Sequence, residues 1–328
     1  MLLLVSLGVN GFIYAQDASV DSIRSQYIRE FPDRFYIKPI LTFRNLDLTI
    51  EDKDTGLKPT TYEPINNTYL GVGLFMFNIG IELSLRVPSS EEKVELYGET
   101  SAFDFQTNIY SKRWGADVAY QNYEGFYVKH PRDKLLEWKD EGPYIQRQDL
   151  NVTNFQLNGF YMFNNDRFSY RSAFIQADKQ LKSAGTFLLG SMFRVFKFQA
   201  DSTLIPASDE DRVKSGKFTS LGILPGYAHN FVLKDFYLNL SLTAGPANVW
   251  TRSNYEDDNT VKSKIRPAIG ARVALGYNSD RFFCGFSMVT QSVSYDLDNI
   301  DVNGETGNAK LFFGMRFLEK GFMKKNIF

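Results

Sequence analysis

The chain has 328 residues and nearly cancelling charge, 37 Lys and Arg against 38 Asp and Glu, so it lacks the basic excess of a nucleic-acid binder and no nucleic acid is expected as a partner. Its bias is aromatic, 29 Phe and 18 Tyr, beside a mean hydropathy slightly on the polar side, a pairing that suits a shell wetted by lipid outside and water inside better than a soluble sandwich. A single cysteine, Cys284, excludes an internal disulfide and a cysteine-based metal cluster.

In chain order, Met1 to Ala15 is an apolar run (Leu2, Leu3, Leu4, Val5, Leu7, Val9, Phe12, Ile13) followed abruptly by charge from Asp17. Residues 1–15 read as a signal peptide, although no Lys or Arg precedes the run and Ile13 stands where a small residue is usual before the cut. A buried strand or short anchor is the alternative, since a spanning helix needs ~20 residues. Residues 16–34 then form a periplasmic N-terminal segment, 35–318 the folded domain and 319–328 a C-terminal tail. From Phe35 onward the signal is alternation of period two, with no convincing helical period. Leu83 and Leu85 alternate with Glu82, Ser84 and Arg86; Leu238, Leu240 and Leu242 with Asn239, Ser241 and Thr243; Ile269, Ala271 and Val273 with Gly270 and Arg272. The second face of each stretch is rich in Gly, Ser, Asn, Gln and isolated Arg, which fits a narrow polar lumen inside a lipid-facing wall.

Thirteen candidate strands fall near 35–49, 66–76, 79–88, 98–110, 114–128, 151–163, 168–177, 185–200, 216–232, 236–249, 264–277, 281–296 and 306–318. Connections after the first, third and fifth are long, whereas Phe77-Asn78, Ser111 to Arg113 and Asn164 to Arg167 are tight. Past Lys179 the order inverts: 201–215, 250–263 and 297–305 are long, and Leu233 to Asp235 and Asn278 to Asp280 tight. One candidate therefore does not cross, and residues 168–183 are assigned to a lumen or periplasmic-side excursion, which leaves about 12 strands. The last strand carries Leu311, Phe313, Met315 and Phe317 and ends on an aromatic, as assembly signals do, with a tail to Phe328 behind it. The expected fold is all-β, a transmembrane antiparallel β-barrel in a bacterial outer membrane, with outer-membrane lipid and the barrel assembly machinery as partners.

Two stretches are more specific than alternation. One is Asp104-Phe-Gln106 followed by Tyr110, Trp114, Asp117, Gln121 and Tyr123-Glu-Gly125-Phe126-Tyr127; the other is Phe168-Ser-Tyr170-Arg171 followed by Gln180-Leu-Lys182-Ser183-Ala184-Gly185 and Gly190. With Pro225-Gly226-Tyr227 and the final strand, they resemble the DUF4421 family, uncharacterised Bacteroidetes proteins, from about Arg34 to Phe317. The resemblance implies an outer-membrane barrel and supplies no catalytic role.

Asp104, Gln106 and Asn108 share one face of their strand, and Asp117 and Gln121 one face of the next, opposite Trp114, Ala116, Val118 and Tyr120. These carboxylates and amides point into the barrel, where desolvated charge needs partners. Arg171, Lys179 and Lys182 on the excursion are expected to supply them, plugging or narrowing the lumen. A charge network that merely fills a small barrel is the plainer reading; a solute or ion path competes with it. For a hydrolase only His130, in a long loop, and His229, near a strand end, are available, and neither lies in a nucleophile motif. The stretch Asp296 to Glu305 has the oxygen pattern of a calcium loop but puts Lys310 where a bidentate Glu belongs, so it reads as a polar surface loop. Gly71-Val-Gly73 is a fragment of a phosphate-binding fingerprint, better explained by packing in the wall. No enzyme, cofactor or metal is expected. The leading expectation is a passive or gated pathway for an unknown solute; a non-transporting barrel that anchors an envelope protein or supports the envelope is second, and a barrel hydrolase third.

Overall fold

The computed structural model describes residues 23–53, 58–65, 67–76, 79–129, 143–204, 213–253, 261–297 and 300–318. The expected signal peptide, the tail and His130 lie outside them. In chain order the strands are β1 (Ile28–Glu30), β2 (Arg34–Asp52), β3 (Thr60–Glu63), β4 (Thr68–Met76), β5 (Ile79–Arg86), β6 (Ser101–Tyr110), β7 (Trp114–Lys129), β8 (Gln146–Met162), β9 (Asp178–Gln180), β10 (Ala184–Gln199), β11 (Ser215–Leu233), β12 (Phe236–Ser253), β13 (Val261–Asn278), β14 (Phe282–Leu297) and β15 (Ile300–Leu318). A short helix, Glu91–Tyr97, joins β5 to β6, and a π-helical turn, Arg171–Ile175, precedes β9.

Antiparallel pairing runs β2-β15-β14-β13-β12-β11-β10-β8-β7-β3 and returns to β2, a closed ring of ten strands. At the loop end, closure leaves the ring no sheet edge among the described residues. The four-residue β3 bridges β2 and β7 only at the loop end. Toward the turn end the same gap is filled by β4 and β5, extending from β2, and by β6, extending from β7. Nine ring strands with β4, β5 and β6 thus surround the turn-end half, matching the strand number expected from the linkers. Among the described residues, β5 and β6 exchange no ladder hydrogen bonds.

The strands are longer than a bilayer needs. A tilted crossing takes about 9–11 residues, while β2, β11 and β15 have 19. The surplus has its own pattern. In β2 the apolar residues Ile37 and Phe43 are exposed on the outside, and then the phase flips: Leu46, Leu48 and Ile50 point inward and are fully buried. The same switch separates Leu240 and Leu242 (outside) from Ala247 and Val249 (inside) in β12, and Phe187 and Leu189 from Phe196 and Phe198 in β10. The turn-end half therefore wears an oily belt, with Leu85 82% exposed, and the loop-end half is a barrel packed around its own apolar core. This corrects the expectation of a polar lumen throughout: oily residues leave the outer face where lipid ends and fill the interior instead.

Other boundaries also move. Residues 297–305, expected as a long loop, mostly belong to the β14–β15 hairpin, with Asp296 opposite Asp301 and Ser294 opposite Asn303. Asp296 is an anion among cations rather than part of a calcium or surface loop, facing Lys53, Lys264 and Arg266. The helix at 91–97 is two turns long, too short to show a helical period; Ser90 at the N-cap, Glu91 and Glu92 in the first turn and Gly98 at its end mark it in the sequence.

Gly125 sits at a bulge in β7, with φ of +89° and the β7–β8 register slipping between Glu124 and Phe126. A Cβ there would lie 2.1 Å from the Glu99 carbonyl oxygen. The bulge carbonyl accepts from Thr100 Oγ1 at 2.7 Å, and Thr100 in turn accepts from the Ile65 N–H. Gly125→Ala is expected to destabilise the fold by about 1–3 kcal/mol, seen as a lower temperature at which the folded electrophoretic band is lost; an unchanged temperature would contradict the strain at this bulge.

Candidate functional site

The interior is stacked in three layers. At the loop end Phe218 stacks on Tyr295 at 4.5 Å and Phe196 on Tyr295 at 5.7 Å, with Tyr123, Phe126, Leu150 and Val302 buried around them. Among the described residues, rings and branched aliphatic side chains close-pack across the axis in this layer. At its lower margin Arg194 is fully buried, donating to Asn154 Oδ1 and the Gly304 carbonyl, with its charge over the Phe196 ring.

The middle layer is a band of ion pairs and amides. Asp104 and Asp117 do point inward, but their cations come from the wall. Arg44 of β2 donates to Asp104 Oδ1 at 3.0 Å, and Asp104 also accepts from Tyr123 at 2.7 Å, Gln121 at 3.0 Å and Gln106 at 3.3 Å. Arg272 of β13 pairs with Asp117, which also accepts from Asn108 at 2.6 Å. Glu82 of β5 is held between Lys38 at 2.8 Å and Lys310 at 2.6 Å. The five residues read from β6 and β7 fall into two neighbouring clusters, Asp104 holding Gln106 and Gln121, and Asp117 holding Asn108. The signal for Arg44, Arg272, Lys38, Lys310 and Glu82 was an isolated charge on the small-residue face of each strand, a pattern that marks the lumen but not the pairing.

The third layer is the plug. β1 pairs with β9 inside the turn-end mouth, so the N-terminal segment and the excursion after β8 form one unit. Arg171, Lys179 and Lys182 belong to it, and here the expected pairing is corrected. Arg171 lies 3.5 Å from Asp178 in the plug itself; Lys179 reaches Asp235 at 2.6 Å and Asp280 at 3.5 Å in two tight turns; Lys182 stacks on the Tyr27 ring. The cations lie at the mouth, while Asp104 and Asp117 already have wall partners. The plug also bonds the wall on many sides: Tyr170 donates to Ser241, Tyr237 to the Ala173 carbonyl, Tyr36 to the Ile175 carbonyl, Asn278 to the Ser172 carbonyl and Arg316 to the Gln176 carbonyl. A cavity of about 270 Å³ remains between the plug turn at Phe174 and Ile175 and the wall beside β5 and β6.

The family model for the domain of unknown function DUF4421 matches residues 19–317. The chain belongs to the DUF4421 family. No curated protein matches it. Among solved structures, it is similar to the outer membrane protease OmpT from Escherichia coli (TM-score 0.38, 10% identity, 88% of this chain and 98% of that one). It is also similar to the toluene transporter TodX of P. putida (0.27, 9%, 88% and 92%) and to the outer membrane protein OprG from Pseudomonas aeruginosa (0.25, 13%, 88% and 98%).

Docking of the plug in this DUF4421 barrel is expected to depend on pH. The hydrogen bond from Lys179 holds the Asp235 carboxyl below the usual carboxylate range. At Asp280 burial, which raises the pKa, is outweighed by Arg29 and then Lys179, and the carboxyl is again lowered. Groups with depressed folded values stabilise above the ordinary aspartate pKa of about 3.9 and lose that contribution as pH falls through the folded value. Amide protection of β1 and β9 is therefore expected to drop as pH falls below that value, and Lys179→Met to flatten the dependence. Equal pH profiles for the two forms would contradict it.

Proposed function

We propose that this chain sits in a bacterial outer membrane with its tight turns toward the periplasm, and that it is a non-transporting barrel, closed to solutes along its axis. The observation that carries this reading is the stack of a dry aromatic core, an ion-paired band and a docked plug in one lumen. An open pore needs a continuous wet path, and a plug that moved aside would still leave Phe196, Phe218 and Tyr295 across the axis. Lipid covers the belt, the assembly machinery reads the last strand, and the envelope partner meets the barrel at its rims. The reading includes no catalytic step: His229 lies on the outer face, its Nδ1 3.1 Å from the Tyr227 hydroxyl and its ring against Phe231.

The test is single-channel conductance of the refolded barrel in a planar bilayer, beside a variant carrying Lys179→Ala and Lys182→Ala. Silence in both forms is expected. Stable conductance in the variant would overturn axial closure and restore the gated solute pathway.

A further inference from the structure

We propose that the seam between β5 and β6 is a lateral port through the barrel wall, and that the cavity behind it binds a single-chain anionic amphiphile, a long-chain carboxylate arriving from the bilayer. This goes beyond axial closure but rests on the membrane placement. Each wall strand other than these two is bonded into its neighbours on both sides, whereas β5 and β6 face one another without a ladder among the described residues. In hydrocarbon no water replaces the missing bonds, so such an edge must be met by something else. Toward the loop end side chains meet it: Arg44 donates to the Asp104 carbonyl at 3.1 Å and to Ser84 Oγ at 2.9 Å, and Arg86 donates to the Thr100 carbonyl at 2.6 Å. Toward the turn end, along Gln106 to Tyr110, the seam borders the cavity instead.

Three features define the occupant. Leu74 and Ile109 line the cavity and are also exposed on the oily outer face, so the entrance is apolar and opens to lipid. Within, Lys310 meets the carboxylate of Glu82, which Lys38 shares from behind the cavity lining, so the three groups leave one positive charge beside the amides of Gln106, Asn108 and Asn308. Phe174 and Val289 supply apolar wall. A volume of about 270 Å³ lies just below the usual range for ligand pockets, which suits part of one chain and a small head and excludes a two-chain phospholipid. Lys310 would hold the carboxylate, with the chain running out past Leu74 and Ile109.

The probe is palmitic acid bearing a diazirine a few carbons from its carboxyl group, added to the full chain refolded in phosphatidylcholine vesicles and shown to be inserted by heat-modifiable migration. After illumination, label is expected to concentrate on peptides holding Leu74, Ile109 and Phe174, and to fall at least fivefold with excess palmitate but not with hexadecanol. Lys310→Met should reduce it as strongly, and Ile109→Trp, which narrows the entrance and leaves Lys310 in place, should do the same if the first variant folds poorly. Label spread evenly over belt strands such as those of Leu242 and Ile223, or seam label indifferent to palmitate and to both variants, would overturn the port in an inserted barrel. A chain without a heat-modifiable band would overturn the membrane placement and the port with it.

Discussion

Arg272→Met is expected to lower the free energy of unfolding by about 3–5 kcal/mol, the cost of leaving a buried carboxylate without its cation. Arg272 pairs with Asp117, donates to the Tyr110 hydroxyl at 3.2 Å and lies 4.7 Å over the Phe160 ring, so one side chain ties β13 to β6 and β7 across the lumen. Water does not replace it, since both groups of the pair are largely buried. Adding Asp117→Asn should recover at least half of the loss, because the stranded charge is then gone and Asn108 keeps a neighbour. Urea titrations of the vesicle-bound barrel, followed by the folded electrophoretic band, measure both. Losses that simply add in the double variant would contradict a coupled pair.

Phe218→Ala should cost a comparable amount, about 3–5 kcal/mol for an aromatic removed from a packed core. Phe218 is fully buried and stacks on Tyr295, with Phe196 and Phe198 beside it. Leu242→Ala, on the lipid face where the side chain is 57% exposed, should cost less than about 1.5 kcal/mol, since lipid fills the space that a core would leave empty. The contrast distinguishes a loop-end half built like a soluble core from a plain membrane wall. Equal losses at the two positions would contradict it.

Much of this was legible in the sequence. The tight turns at Ser111 to Arg113 and Leu233 to Asp235 lie at one end of the strands as expected, and the break in their alternation after Asn164 placed the excursion that the structure shows as the plug. The inward face of β6 and β7 was read correctly because Asp104, Gln106 and Asn108 alternate with exposed Phe103, Phe105 and Ile109. The dry core was written there too, as a phase change between Phe43 and Leu46 and between Leu242 and Ala247, but period-two reading of each stretch alone passes over it. A boundary shows only when the apolar parity is compared along one strand. The partners of Asp104 and Asp117 were not legible. Arg44 and Arg272 are 60 and 155 residues away from them in the chain, and only ring closure brings those strands face to face. The seam was hidden for a similar reason, since β5 and β6 read as ordinary neighbours joined by a long connection.

The most direct test of axial closure is the reactivity of a thiol placed in the core. Val249→Cys in a Cys284→Ser background replaces a buried side chain by one of similar shape at the loop end and removes the exposed native cysteine. With a charged, water-soluble methanethiosulfonate applied to the folded barrel in vesicles, a closed axis predicts no modification over hours and rapid modification once the barrel is unfolded in urea. Modification of the folded barrel within minutes would mean that water and solutes reach the loop-end lumen, and would contradict a closed axis.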